Sequence, residues 1–217
     1  AAHRLVTNNV LGLKDGQALY SPITYADGGI VDDCLVYRLA QDHVLIVVNA
    51  SNIAKDFAWF VEQTGDRCEV LDNSDDYALL ALQGREALPL LCKLSGRDDL
   101  GELQPFWFTE VTVDGVKCTA SRTGYTGEDG FEILCAAADG PALWQALMAG
   151  GEGVGIKPCG LGCRDTLRLE ARLPLYGNDI DKTTNPIEAG LGWTVKLKKG
   201  EFIGFAPVKA AKKKGGI

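Results

Sequence analysis

Residues 27–49 read DGGIVDDCLVYRLAQDHVLIVVN, and the pattern within them decides the fold class. Gly28 and Gly29 permit a tight turn or a close approach by a ligand. Asp32 and Asp33 then lead into an apolar strand beginning at Cys34. Leu35–Leu39 and His43–Asn49 are two strand-like runs joined at Ala40-Gln41-Asp42, which predicts a strand pair. Side chains alternate across a strand, so Asp32 and Asp33 face opposite sides. One meets solvent, whereas the other points inward and needs a donor or a ligand. Taken alone, the cluster also reads as a hairpin turn with solvated acids, the commoner arrangement.

Outward from this pair the chain alternates strand-like and helix-like periods, which predicts a mixed α+β protein. Asn52 is placed to cap a helix through Ile53, Phe57 and Phe60 that Gly65 ends. Tyr77–Leu82 predicts a strand, and Gly84 leads to a helix through Leu88, Leu91 and Leu94. Phe106–Val113 and Val116–Ser121 flank Asp114-Gly115, the signature of a two-residue hairpin turn. Phe131–Ala136 is strand-like, and Pro141–Met148 is helix-like with its proline near the first turn. Gly160-Leu161-Gly162 opens another helix, on which Leu167, Leu169 and Leu173 mark one apolar face. The pattern gives two strand–helix blocks meeting near Asp75, with no internal repeat.

Composition narrows the function classes. The 217 residues are 46% hydrophobic and 24% charged, which excludes a disordered or low-complexity chain. The longest apolar run, around Val44–Val48, is far too short for a membrane span, and no membrane partner is expected. Seven scattered cysteines, an odd number, argue for buried reduced thiols rather than a disulfide framework. Cys159 and Cys163 are close but lack a nearby histidine, so no metal is expected. The net charge is −7, yet the stretch from Thr194 to Ile217 carries seven lysines and one acid. The acidic remainder disfavours nucleic acid as a partner, and Lys212-Lys213-Lys214 reads as a solvated end.

With only His3 and His43, Ser-His-Asp and Cys-His chemistry have almost no material to work with. No glycine loop with a following Lys-Ser/Thr occurs, so phosphate transfer loses its support. Ser121–Glu132 (SRTGYTGEDGFE) spaces three glycines around Glu128 and Asp129, acids that would repel an anion. A flat polar heterocycle fits better, with Tyr125 against its face or edge and Glu132 accepting from an amino group. A plain glycine loop between strands is the other reading. Among Arg164, Asp165, Arg168, Glu170 and Arg172, most read as exposed ion pairs, while Arg164 is placed to hold a carboxylate or carbonyl. Downstream, Tyr176–Asp181 and Thr184–Trp193 read as a polar loop returning to a strand.

Together, Asp27–Val36 (DGGIVDDCLV), Ser121–Glu132, Gly160–Gly177 (GLGCRDTLRLEARLPLYG) and Thr184–Trp193 (TNPIEAGLGW) resemble the glycine cleavage system T protein family. These aminomethyltransferases use tetrahydrofolate. With the stretches between them, the four strings cover essentially the whole chain.

The resemblance implies a reaction in which a lipoylated H protein delivers an aminomethyl group. Ammonia is released, the methylene carbon passes to tetrahydrofolate, and dihydrolipoyl H protein remains. It also implies residue roles. Asp33 is the catalytic acid beside the folate nitrogens; Tyr20, Tyr37 and Asn49 line the pterin pocket; Tyr125 and Glu132 contact the pterin; Arg164 holds the cofactor.

The implied fold is the family's two interwoven α+β domains, one from 1–78 plus 171–217 and the other from 79–170. Relative to the family the chain looks truncated at both ends, without the N-terminal segment or the C-terminal β-barrel, and Pro105 stands where some members have an aromatic residue. The implied location is the cytoplasm for a bacterial source or the mitochondrial matrix for a eukaryotic one. Two rivals remain: a non-catalytic folate-binding module, and an inactive fragment of the enzyme.

Overall fold

In the computed structural model, which describes residues 1–215, the alternating apolar runs form two antiparallel sheets and the 3.6-period runs form the helices around them. The elements in chain order are α1 (Ala2–Leu5), β1 (Ala18–Thr24), β2 (Ile30–Ala40), β3 (His43–Val48), α2 (Ile53–Thr64), β4 (Tyr77–Gln83) and α3 (Ala87–Ser95). There follow β5 (Phe108–Val113), β6 (Val116–Ser121), β7 (Gly130–Ala136), α4 (Gly140–Gly151), α5 (Leu161–Glu170) and α6 (Phe205–Lys213). The architecture is mixed α+β. The chain divides into two compact units, 1–72 with 174–217, and 73–173. The boundary expected after residue 78 passes through β4, and that strand belongs whole to the second unit, paired with β7 from Tyr77 to Gln83.

The first unit carries the sheet β1-β2-β3. Leu19, Ile23, Cys34 and Val36 from one face of β1 and β2 pack with Phe60 of α2 and with Leu5, Val6 and Val10. Between Ile23 and Thr24 the register slips, leaving Val31 as an extra residue in β2. Such a bulge re-aims the side chains beside it, here Asp32 and Asp33. Gly29 sits where a Cβ would lie 2.0 Å from the Lys182 carbonyl oxygen, so the turn into β2 has no room for a side chain. Half-buried Lys199 ties the unit's two chain segments together. Its amine donates to the carbonyls of His3, Val6 (2.6 Å) and Asn8 (2.8 Å).

In the second unit the sheet order is β4-β7-β6-β5. Leu82, Val111, Ala120, Phe131 and Ile133 meet Leu90, Leu91, Leu143 and Leu147 of α3 and α4 in its core. Asp114 and Gly115 both take positive φ, 48° and 86°, as a two-residue hairpin turn requires.

Several expectations are corrected. β5 starts at Phe108 because Phe106, at φ 63°, cannot continue a strand. On α2 the buried residues are Asp56, Phe60 and Thr64, one face at i, i+4 spacing, while Ile53 and Phe57 are half-buried. On α5 the buried residue is Arg168, which pairs with Asp165 at 2.6 Å, whereas Leu161 and Leu169 are exposed. The polar stretch after Tyr176 continues as turns with a single bridge, Tyr176 to Ile180, and forms no strand among the described residues. Of the cysteines, Cys68, Cys159 and Cys163 are exposed rather than buried, and all seven are free thiols.

Candidate functional site

The acid pair is the centre of a polar cluster in the first unit. Asp32 faces the core side of the sheet and is completely buried. Its Oδ1 accepts from the Asn49 amide (2.7 Å) and the Asp33 backbone N–H (2.8 Å), and its Oδ2 accepts from the Asn52 amide (2.8 Å). Three N–H donors on one side chain are the complement of a carboxylate. Asn52 was expected to cap α2; an amide donating to Asp32 leaves the helix without a side-chain cap.

Asp33 lies on the opposite face, half-buried, four residues before Tyr37 on the same strand and near Tyr20 on the paired strand. Burial pushes its carboxyl up to about 6, and the neighbouring Asp32 charge adds to the rise. The Asn49 amide (3.0 Å to Oδ1) and the Tyr20 hydroxyl beside it oppose the rise. One amide nitrogen of Asn49 therefore serves both acids. Tyr20 also stacks on Trp193, with centroids 6.0 Å apart and planes at 23°. Tyr37 is fully buried, opposite Ala18 of β1.

A second cluster lies in the other unit, built by the glycine-spaced loop between β6 and β7. Glu132 of β7 is half-buried, which raises its proton affinity; the Thr123 hydroxyl (2.5 Å to Oε2) and the Arg164 charge lower it. Arg164, exposed in the first turn of α5, holds its guanidinium 4.5 Å from the centroid of the Tyr125 ring. Tyr125, Glu132 and Arg164 thus come together around one loop. Asp129, expected to repel anions, is held instead by Arg122 through two bonds of 2.9 and 2.7 Å.

The loop is organised by Gln83, which the sequence does not single out. Its amide donates to the carbonyls of Thr123 (3.1 Å) and Phe131 (3.2 Å) and accepts from Thr126 (3.1 Å). Gly124 lies so close to it that a Cβ there would come within 1.9 Å of the Gln83 oxygen. Also unanticipated are Lys55 and Asp56, whose polar side chains occupy the start of α2's buried face. Their spacing from Asn52 and Phe60 was the available signal, since a polar residue on a core-facing stripe needs a partner. Among the described residues no group of three or more His, Cys, Asp or Glu is arranged to hold a metal ion, and no helix is long and apolar enough to cross a membrane.

Comparison with known proteins adds relatives to this geometry. The family model described as GCVT N-terminal domain matches residues 1–199. An aminomethyltransferase of Halothermothrix orenii is 52% identical over 98% of this chain and 59% of its own length. One from Desulfitobacterium hafniense is 50% identical over 97% of this chain and 58% of its own. The chain thus spans less than two thirds of these relatives. Among solved structures, the glycine cleavage system aminomethyltransferase T from Bartonella henselae superposes with a TM-score of 0.86 at 36% identity, covering 97% of this chain and 57% of that one.

Proposed function

The chain belongs to the GCVT N-terminal domain family, and from that premise we propose tetrahydrofolate-dependent aminomethyl transfer in glycine cleavage as its function. The aminomethyl group comes from a lipoylated H protein, and the products are methylene-tetrahydrofolate, ammonia and dihydrolipoyl H protein. In a bacterium this chemistry runs in the cytoplasm, in a eukaryote in the mitochondrial matrix. The observation that carries the reading is Asp33: a half-buried carboxyl at about 6, with Asn49 donating to it and the Tyr20 hydroxyl beside it. Such a group holds or releases a proton near neutral pH, which suits a general acid or base. A protein that only bound folate would have no use for that property.

The residues fit tetrahydrofolate. Taken unit by unit, the half-buried Asp33 of the first complements an N–H donor, while in the second Glu132 complements the edge of an amino-pyrimidinone and the exposed Arg164 guanidinium complements a carboxylate. Tetrahydrofolate, when bound, supplies the nitrogens that accept the one-carbon unit. Asp33 holds a proton on its carboxyl and exchanges it with a reacting nitrogen. Asn49 orients that carboxyl by donating to it, with the Tyr20 hydroxyl alongside. Tyr37 is assigned with them to the pterin, as are Tyr125 and Glu132, with Arg164 as the anchor. Orientation of the reactants supplies much of the rate in a transfer of this kind.

Calorimetric titration of the chain with tetrahydrofolate, beside Asp33→Ala and Arg164→Ala, tests the reading. Saturable binding weakened by Arg164→Ala supports it and calls for a transfer assay with a lipoylated carrier. Binding that ignores Arg164→Ala removes that residue from the pocket, and binding with no transfer favours the non-catalytic module.

A further inference from the structure

The buried face of α2 begins with charge that the reading above leaves without a task. Asp56 is completely buried, and its Oδ1 lies 2.7 Å from the Lys55 amine. The same amine donates to the carbonyl of Val31, the extra residue of the β2 bulge, and stands 3.8 Å from Asp32 Oδ2. Asn52, one turn earlier, donates to that Oδ2. Asp32 in turn receives the Asp33 backbone N–H and shares the Asn49 amide with the Asp33 carboxyl. A continuous run of polar contacts therefore joins α2 to Asp33 through the sheet.

We propose that Lys55 and Asp56 are positioning residues that govern the proton on Asp33, acting through Asp32 and Asn49. The proposal rests on the reading of Asp33 as the acid. Asp32 and Asp56, both completely buried, share one amine, and Asp33 is tied to Asp32 through Asn49, so three negative charges so close together are disfavoured. The other titratable groups facing it add no cation: the Tyr20 hydroxyl from β1, the buried Cys34 thiol from β2, and Tyr176, whose ring lies 4.6 Å from the Lys55 amine. Tyr25 and Asp181 stand near Tyr176.

Burial and the neighbouring Asp32 lift Asp56 to about 7, one step above Asp33 at about 6. While Asp56 keeps its proton, Lys55 neutralises Asp32. When Asp56 ionises, Lys55 is divided between two carboxylates, and the Asp32 charge presses harder on Asp33. By the same coupling, Asp33 gives up its proton first, near 6, and its charge helps Asp56 keep its own until near 7. The two groups titrate as a coupled set.

Carbon-13 NMR of aspartate carboxyls, from pH 4 to 9, tests this on the whole chain, with the Asp33 signal assigned by its loss in Asp33→Asn. The wild-type Asp33 signal is expected to move in two steps, near 6 and near 7. Asp56→Asn, which keeps the shape of the side chain, is expected to abolish the upper step. Lys55→Met is expected to raise the lower step by about one pH unit, and Lys55→Arg to restore most of it. A two-step curve that persists in Asp56→Asn, or a single step in the wild type, overturns the proposal. Should Lys55→Met fail to fold, the Asp56→Asn curve decides. Failure of the underlying reading shows separately, as unimpaired transfer by Asp33→Asn.

Discussion

At the scale of single residues, the chain's chemistry turns on whether a side chain is an acid or merely shaped like one. Asp33→Asn keeps size and loses the proton. It is expected to bind tetrahydrofolate within a few-fold of wild type while transfer falls by roughly 10²- to 10⁴-fold, the usual worth of a general acid–base group. Single-turnover assays beside calorimetry read both quantities, and equal transfer by the mutant removes Asp33 from the mechanism. Glu132→Ala removes a half-buried acceptor, so it is expected to weaken folate binding by about 1–3 kcal/mol. An unchanged dissociation constant would mean that Glu132 does not touch the pterin. Residue identity was legible in the sequence for the acid pair and for Arg164. The sequence could not show which acid of the pair is the sealed one, because both fit an alternating strand equally well. Asp32 is sealed because its face of β2 is the one covered by α2.

At the scale of elements, turns and loops depend on close approaches that only a missing Cβ allows. Gly29→Ala and Gly124→Ala make a matched comparison. Both would place a methyl about 2 Å from an oxygen, 2.0 Å from the Lys182 backbone in one case and 1.9 Å from the Gln83 side chain in the other. Backbone held in a turn yields less readily than a side-chain amide, so Gly29→Ala is expected to be the more destabilising, by about 1–3 kcal/mol. Denaturant unfolding of the two variants checks the order, and equal losses would contradict it. The glycine spacing of Ser121–Glu132 was plain in the sequence. That Gln83, some forty positions upstream, fills the loop was not, because β4 meets β7 only through sheet pairing. The α2 helix is the converse case. Its position and its end at Gly65 followed from periodicity, but its inward face did not, since Asp56 and Thr64 hold places that a hydrophobic count gives to Ile53 and Phe57.

At the scale of the whole molecule, the raised carboxyls link folding to pH. Asp33 and Asp56 bind their protons more tightly in the folded chain than in the unfolded one, where an Asp titrates near 3.8. Between about pH 4 and pH 7 the folded state therefore carries more protons, and stability falls as pH rises through that window. Asp56→Asn is neutral at every pH and cannot take part. It is expected to flatten the decline and to be more stable than wild type at pH 8, relative to the two proteins at pH 4, as thermal unfolding across the range would reveal. A wild-type profile that rises from pH 4 to 7, with Asp56→Asn parallel to it, would contradict the assignment of a buried, proton-holding Asp56.

The sequence by itself determined the α+β class, the hairpin at Asp114-Gly115, the glycine turn before β2, and the family, because these depend on local pattern and on strings of residues in order. Tertiary structure alone decided which charges are paired. Lys55 finds Asp56 and the Val31 carbonyl, and Asn49 joins Asp32 to Asp33, because a strand bulge and a helix face meet in space. Local pattern fixes where a side chain leaves the backbone, whereas the energy of a buried charge depends on what stands opposite it.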